Sequence, residues 1–187
     1  MTDLQTILNY YEQNLCDREF HYTLTNCLVL KIIFYREAFC HLLGIQHITD
    51  NRRYIGRSGY EQIKSGKLTA RRLRNINRIG FSNAKPRMEH FMHIGHLMEH
   101  GDVFRFYPER SESTRIRASF LIHEENHGLY LHLFLARESL KTNIYAPMSY
   151  IVLTERDDNP RLYTTGQEYK KVLTREILTK NRQMDYN

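Results

Sequence analysis

The sequence predicts an α+β fold, with helices in the N-terminal half and a C-terminal antiparallel sheet of four or five strands. Three observations predict it. Apolar residues recur at helical spacing through much of the first hundred residues. The texture changes at Val103 to short alternating or apolar runs split by turn residues. No Pro/Gly-rich linker, repeat or low-complexity tract divides the 187 residues, so one domain over 1–187 is expected. Residues 1–101 are mainly helical in this reading, with an early hairpin, and 102–178 are mainly strands.

Leu4, Ile7, Leu8, Tyr11 and Leu15 give an N-terminal helix. Phe20 to Thr25 and Leu28 to Phe34, around Asn26, suggest a hairpin. A short helix from about Arg36 ends at Gly44, a residue suited to the left-handed position after a helix. Ser58-Gly59-Tyr60-Glu61 has the spacing of a capping box. Thr69 can cap a helix with Leu73, Ile76 and Ile79 on its apolar face. Pro86 suits the start of a further helix and Gly101 its end. Val103 to Tyr107, Ile116 to His123, Leu129 to Leu135 and Met148 to Thr154 read as strands. Gly166 to Leu178 fits either a last strand or a helix.

The charge is unevenly placed. From Asn51 to Arg87 there are eleven Lys and Arg and one acid, Glu61, a balance of +10 against +6 for the whole chain. The remainder therefore sums to −4. A cationic segment on a nearly neutral body is the footprint of a phosphate-backbone binder. The candidate contacts are Arg52, Arg53, Arg71, Arg72, Arg74 and Arg78. No apolar run reaches the ~18 residues of a membrane helix, and the first residues lack the basic and apolar regions of a secretory leader. Cys16, Cys27 and Cys40 have no paired spacing and fit reduced thiols in a cytoplasm.

Two clusters carry possible chemistry. In the run His90, His93, His96 and His100, the last three fall within about 60° of one another on a helix, either as a zinc-holding face or as a solvated stripe. No cysteine lies near enough to complete a closed site, and no metal or other cofactor is expected. The second cluster lies in the strands. Ile116, Ala118, Phe120 and Ile122 alternate with Arg117, Ser119, Leu121 and His123, and the leucines 129, 131, 133 and 135 alternate with Tyr130, His132 and Phe134. Each strand then has a core face and an open face. If Glu124 to His127 is the hairpin loop, Ser119 opposes His132 and Arg117 lies one diagonal step away. A histidine, a hydroxyl and an arginine on one face can serve a phosphodiester: the first moves protons, the last steadies phosphate charge. His41, near a helix end, can also simply face terminal carbonyls.

A set of short stretches, in order along most of the chain, carries a family resemblance. They are Ile33-Phe34, Phe39-Cys40-His41-Leu42-Leu43-Gly44, Ile63-Lys64-Ser65-Gly66-Lys67-Leu68-Thr69 and Arg87-Met88-Glu89-His90-Phe91. Arg117-Ala118-Ser119-Phe120-Leu121-Ile122, Leu131-His132-Leu133-Phe134-Leu135, Pro147-Met148-Ser149-Tyr150 and Gln167 to Leu173 follow. Together they resemble the phage- and mobile-element-encoded branch of the barnase–EndoU–colicin–RelE-like nucleases. The resemblance implies a helical part followed by an antiparallel sheet bearing the active site, and RNA cleavage through the 2′-hydroxyl without a metal. It implies His41, Arg117, His132 and Ser149 as site residues, while Ser119 stands where the pattern carries an acid. It also implies a partner that is RNA or a ribonucleoprotein, in the cytoplasm of a bacterial host. The rival expectation is an inhibitor, of anti-CRISPR type, that binds a host ribonucleoprotein and acts by occupying it or by cutting its guide RNA.

Overall fold

Leu4, Ile7, Leu8 and Tyr11 are buried, and their spacing is what makes α1 (Leu4–Tyr11) a helix with one docking face. Asp3 caps it, its carboxylate accepting from the Thr6 N–H. The computed structural model describes residues 3–111 and 114–179, so the expected unit of 1–187 runs past the described residues at both ends.

The early hairpin forms as β1 (Arg18–Leu24) and β2 (Val29–Ile33), antiparallel with Phe20 opposite Ile32. Its tight turn is fixed by the Asn26 side chain, which accepts from the Leu28 N–H at 3.1 Å. After α2 (Phe39–Leu42) come α3 (Gly56–Lys64), α4 (Ala70–Ile76), α5 (Arg78–Glu89) and α6 (His93–His100). Three helix boundaries differ from expectation. Ser58 lies inside α3, which starts at Gly56, and its hydroxyl donates to the Arg53 carbonyl rather than capping. The helix capped by Thr69 stops at Ile76, because Asn77 takes an extended conformation and caps α5 by accepting from Gly80 N–H at 2.9 Å. Pro86 therefore sits in the last turn of α5 instead of opening a helix. The cap at Asn77 had already begun the helix, and a proline near its end removes only one backbone bond.

The strands β3 (Asp102–Arg105), β4 (Phe120–Asn126), β5 (Leu129–Arg137), β6 (Ile144–Thr154), β7 (Glu168–Lys170) and β8 (Val172–Thr179) join the hairpin in one sheet. Its order is β7-β3-β4-β5-β6-β2-β1-β8. The expected four or five antiparallel strands are thus corrected to eight in a mixed sheet among the described residues. The early hairpin is stitched to β6 by a short parallel pairing, Lys31 with Ile144 and Ile32 with Tyr145. That pairing is remote in sequence and leaves no local signal. β7 and β8 occupy opposite ends of the order although only Lys171 separates them, so the sheet curls into a nearly closed barrel.

One face of the sheet carries Phe120, Ile122, Leu131, Leu133 and Tyr150 into the main core with the helices. The other face is covered too, a second correction. Phe106, Ala118, Leu121 and Phe134 form a smaller core there, with Tyr163 packed against it. The segment bearing Tyr163 is clamped by Arg161, whose guanidinium donates to both oxygens of Glu125 at 2.7–3.1 Å. The β4–β5 register also differs. Asn126 pairs with Leu129 across a two-residue turn in which His127 (φ 47°) and Gly128 (φ 75°) are both left-handed, the form that matches strand twist. His123 therefore faces His132, and Ser119 does not. The expected four-residue loop overlooked that histidine can occupy the left-handed region.

Candidate active site

β6 is built irregularly where it matters. Its pairing with β2 ends at Tyr145, and Pro147 just beyond has no N–H to offer a neighbour. The short helix α2 packs against β6. On the other side, β5 pairs Phe134 with Ser149 and then Leu135 with Pro147, so Met148 is skipped. Such a bulge re-aims side chains, and Met148 and Ser149 both line one cleft of about 270 Å³. Its other walls are His41 from α2, Gln46 and His47 from the next turn, and Arg115 and Ile116 from the segment before β4.

Two glycines allow these parts to meet. Gly44 ends α2 in the left-handed conformation (φ 77°), and a Cβ there would stand 3.2 Å from two atoms of the Arg87 side chain. Gly80 lets α5 approach the His47 turn so closely that a Cβ would lie 2.5 Å from the His47 carbonyl oxygen. The result sets Arg87, on α5, beside both histidines. A smaller hollow of about 220 Å³ joins His47, Asn83, Ala84 and Arg87.

The electrostatics follow from that placement. Burial, then the Arg87 guanidinium, then His47 push the His41 pKa below its ordinary value. Burial and then Arg87 do the same to His47. Both imidazoles are therefore neutral near pH 7. Burial also lowers the pKa of Arg87 itself, and its Nη1 is buried without a hydrogen-bond partner among the described residues. A largely buried guanidinium with no acidic partner among the described residues has the chemistry to accept an anionic ligand.

The family model of the phage-Barnase-EndoU-ColicinE5/D-RelE like nuclease 4 matches residues 3–182. The chain belongs to this family of nucleases. No curated protein and no solved structure matches it. Membership in this phage-Barnase-EndoU-ColicinE5/D-RelE like nuclease family points to nucleic acid as the substrate, and among the described residues no helix is long and apolar enough to cross a membrane.

Of the residues expected to serve this nuclease, the structure brings His41 and Ser149 together. It does not bring the others. His132 is fully buried under Tyr163, whose ring centroid lies 5.3 Å away, and beside His123 at 4.7 Å. Its pKa is pushed down to about 3 by burial and by His123. Ser119 is held in the sheet margin, its N–H donating to Leu135 at 2.7 Å and its carbonyl accepting from Phe106. Arg117 is exposed outside any strand, and Arg115 lines the cleft in its stead. His47, Arg87 and Arg115 escaped the sequence reading. The signal for His47 was its place just past the Gly44 break; Arg87 lay in a matching stretch without an assigned role.

The expected binding arginines Arg52, Arg53, Arg71, Arg72, Arg74 and Arg78 are all exposed, and none is in an ion pair among the described residues. Arg78 lines a trough that also reaches Gln46 and His47, so the cationic surface runs into the cleft. The histidines of α6 face outward. His96 bonds Glu124 at 2.9 Å, and no group of three or more His, Cys, Asp or Glu among the described residues is arranged to hold a metal.

Proposed function

We propose that the protein is a metal-independent endoribonuclease that cleaves by attack of the 2′-hydroxyl, with the cleft between α2 and β6 as its active site. The observation that carries this reading is that two histidines, His41 and His47, share one cleft with Ser149 and Arg115, beside the Arg87 guanidinium, which has no acidic partner among the described residues. One imidazole removes the 2′-hydroxyl proton as the 2′-oxygen bonds to phosphorus. The other, as imidazolium, protonates the 5′-oxygen as the P–O5′ bond breaks. Arg87 and Arg115 balance charge on the non-bridging oxygens, and the Ser149 hydroxyl orients one of them. Side chains supply acid, base and cations, so the chemistry asks for no metal. The products are a 2′,3′-cyclic phosphate and a 5′-hydroxyl.

This reading moves the acid–base pair from His41 with His132 to His41 with His47, because a fully buried ring does not reach a substrate. The experiment is incubation of the purified protein with total RNA and structured small RNAs in EDTA, with end-group analysis. Fragments ending in cyclic phosphate support it. RNA that is bound yet never shortened, including guide RNA in a ribonucleoprotein, refutes it and leaves the inhibitor expectation standing.

A further inference from the structure

Beside the cleft lies a trough of about 660 Å³ that meets it at Gln46 and His47 and whose other walls the acid–base chemistry does not use. Its walls include Ile76 and Ile79, which are 43% and 76% exposed amid arginines. Single exposed apolar side chains need no explanation, but these two flank one hollow whose rim is polar. Asp50 and Asn77 line it, and so does Gln46, which belongs to the cleft as well. At the far end, Arg78 is shared with a hollow of about 290 Å³ formed with Arg74, Ser82 and Lys85 over Phe81. Lys85 is paired with Glu89 at 3.1 Å, whereas Arg74 and Arg78 have no acidic partner among the described residues.

We infer that the trough is a subsite for one unpaired nucleobase next to the scissile bond, and that the Arg74–Arg78 hollow takes the phosphate beyond it. A base has apolar faces and a polar edge. The isoleucines and the Arg78 guanidinium suit the faces, and Asp50 and Asn77 on the rim suit the polar edge. In a duplex that edge is already used in pairing, so the polar rim selects single strands. The trough thereby sets both strandedness and minimum length of substrate, a conclusion that rests on the nuclease reading for its scissile bond but not for its binding.

Binding of uncleavable 2′-deoxy oligonucleotides separates the two. The wild-type protein should bind a single-stranded pentanucleotide at least about tenfold tighter than a dinucleotide or a blunt duplex, the scale of one stacked base. Ile79→Asp, at an exposed site, should remove that advantage and leave the dinucleotide unchanged; Arg78→Ala should weaken the pentanucleotide more than the dinucleotide and flatten the salt dependence. Equal affinity for all three ligands, or equal losses on long and short strands, overturns the subsite. Should the length preference hold while ribo-oligonucleotides stay uncut in EDTA, the subsite stands and only the nuclease reading falls.

Discussion

The Arg87 side chain passes within 3.2 Å of the place a Cβ would occupy on Gly44. One residue ends the helix that carries His41, and the other is the cation whose charge lowers the pKa of both histidines. Gly44→Ala therefore strains a left-handed backbone and displaces the guanidinium together. The backbone alone should cost about 1–2 kcal/mol, read by denaturant unfolding, and RNA cleavage should fall beyond what that loss of folded protein explains. A variant with wild-type rate per folded molecule would show that the Arg87 position is immaterial.

Arg87 should also set the pH of action. A general base must be neutral and is lost below its pKa; a general acid must be protonated and is lost above its pKa. Burial and Arg87 lower both histidines below 6.5, so the cleavage optimum lies on the acidic side of that value. Arg87→Met removes the repulsion on each imidazolium, and both pKa values should rise. NMR titration of the histidine rings should show His41 and His47 moving up, with the residual activity optimum following. Unchanged titrations would contradict the placement of Arg87.

The buried His132 makes a separate prediction about stability. Its pKa is about 3 in the folded chain against 6.5 for a free histidine. Between those values the unfolded chain binds the proton and the folded chain does not. Stability is thus complete above about 6.5 and declines as the pH falls, by up to about 1.4 kcal/mol per unit from this group. His132→Phe keeps a ring against Tyr163 and removes the titration. Its unfolding free energy should fall less between pH 6.5 and 4.5 than that of the wild type, with cleavage at pH 6.5 within a few-fold of normal.

The exposed arginines should act as a uniform phosphate anchor. Replacing Arg52, Arg53, Arg71 and Arg72 together by Ala should weaken RNA binding at all sequences. It should reduce the log–log salt slope by roughly 0.7–0.9 for each phosphate no longer neutralised. The cleavage rate at saturating RNA should be unchanged.

Much of this architecture was legible from local pattern. The stripe of α1, the Asn26 turn, Gly44 as a helix stop and the strands after Val103 each follow from a few adjacent residues. The basic segment was equally plain, because charge is read without knowing the fold. What escaped were relations between distant residues. The parallel pairing of Lys31 with Ile144 has no local trace, and the left-handed His127 shifted the register that had placed Ser119 against His132. Alternation put His132 on the non-leucine face, but no periodicity announces that Tyr163 covers that face. His41 and Ser149 entered through family resemblance, and they alone among the expected site residues share the cleft. Their neighbours His47, Arg87 and Arg115 are assembled by two close glycine approaches and a bulge, features of packing rather than of pattern.

The central claim is that His41 and His47 are the acid–base pair and His132 is not. Single-turnover cleavage of a defined single-stranded RNA in EDTA tests it most directly, with His41→Ala, His47→Ala and His132→Phe measured beside the wild type and RNA affinity followed in parallel. Each alanine variant should lose at least about 10²-fold in rate, the low end for a general acid or base, while binding RNA nearly as well. His132→Phe should stay within a few-fold. A His47→Ala protein that cuts at the wild-type rate, or a His132→Phe protein that folds, binds and does not cut, would contradict the assignment.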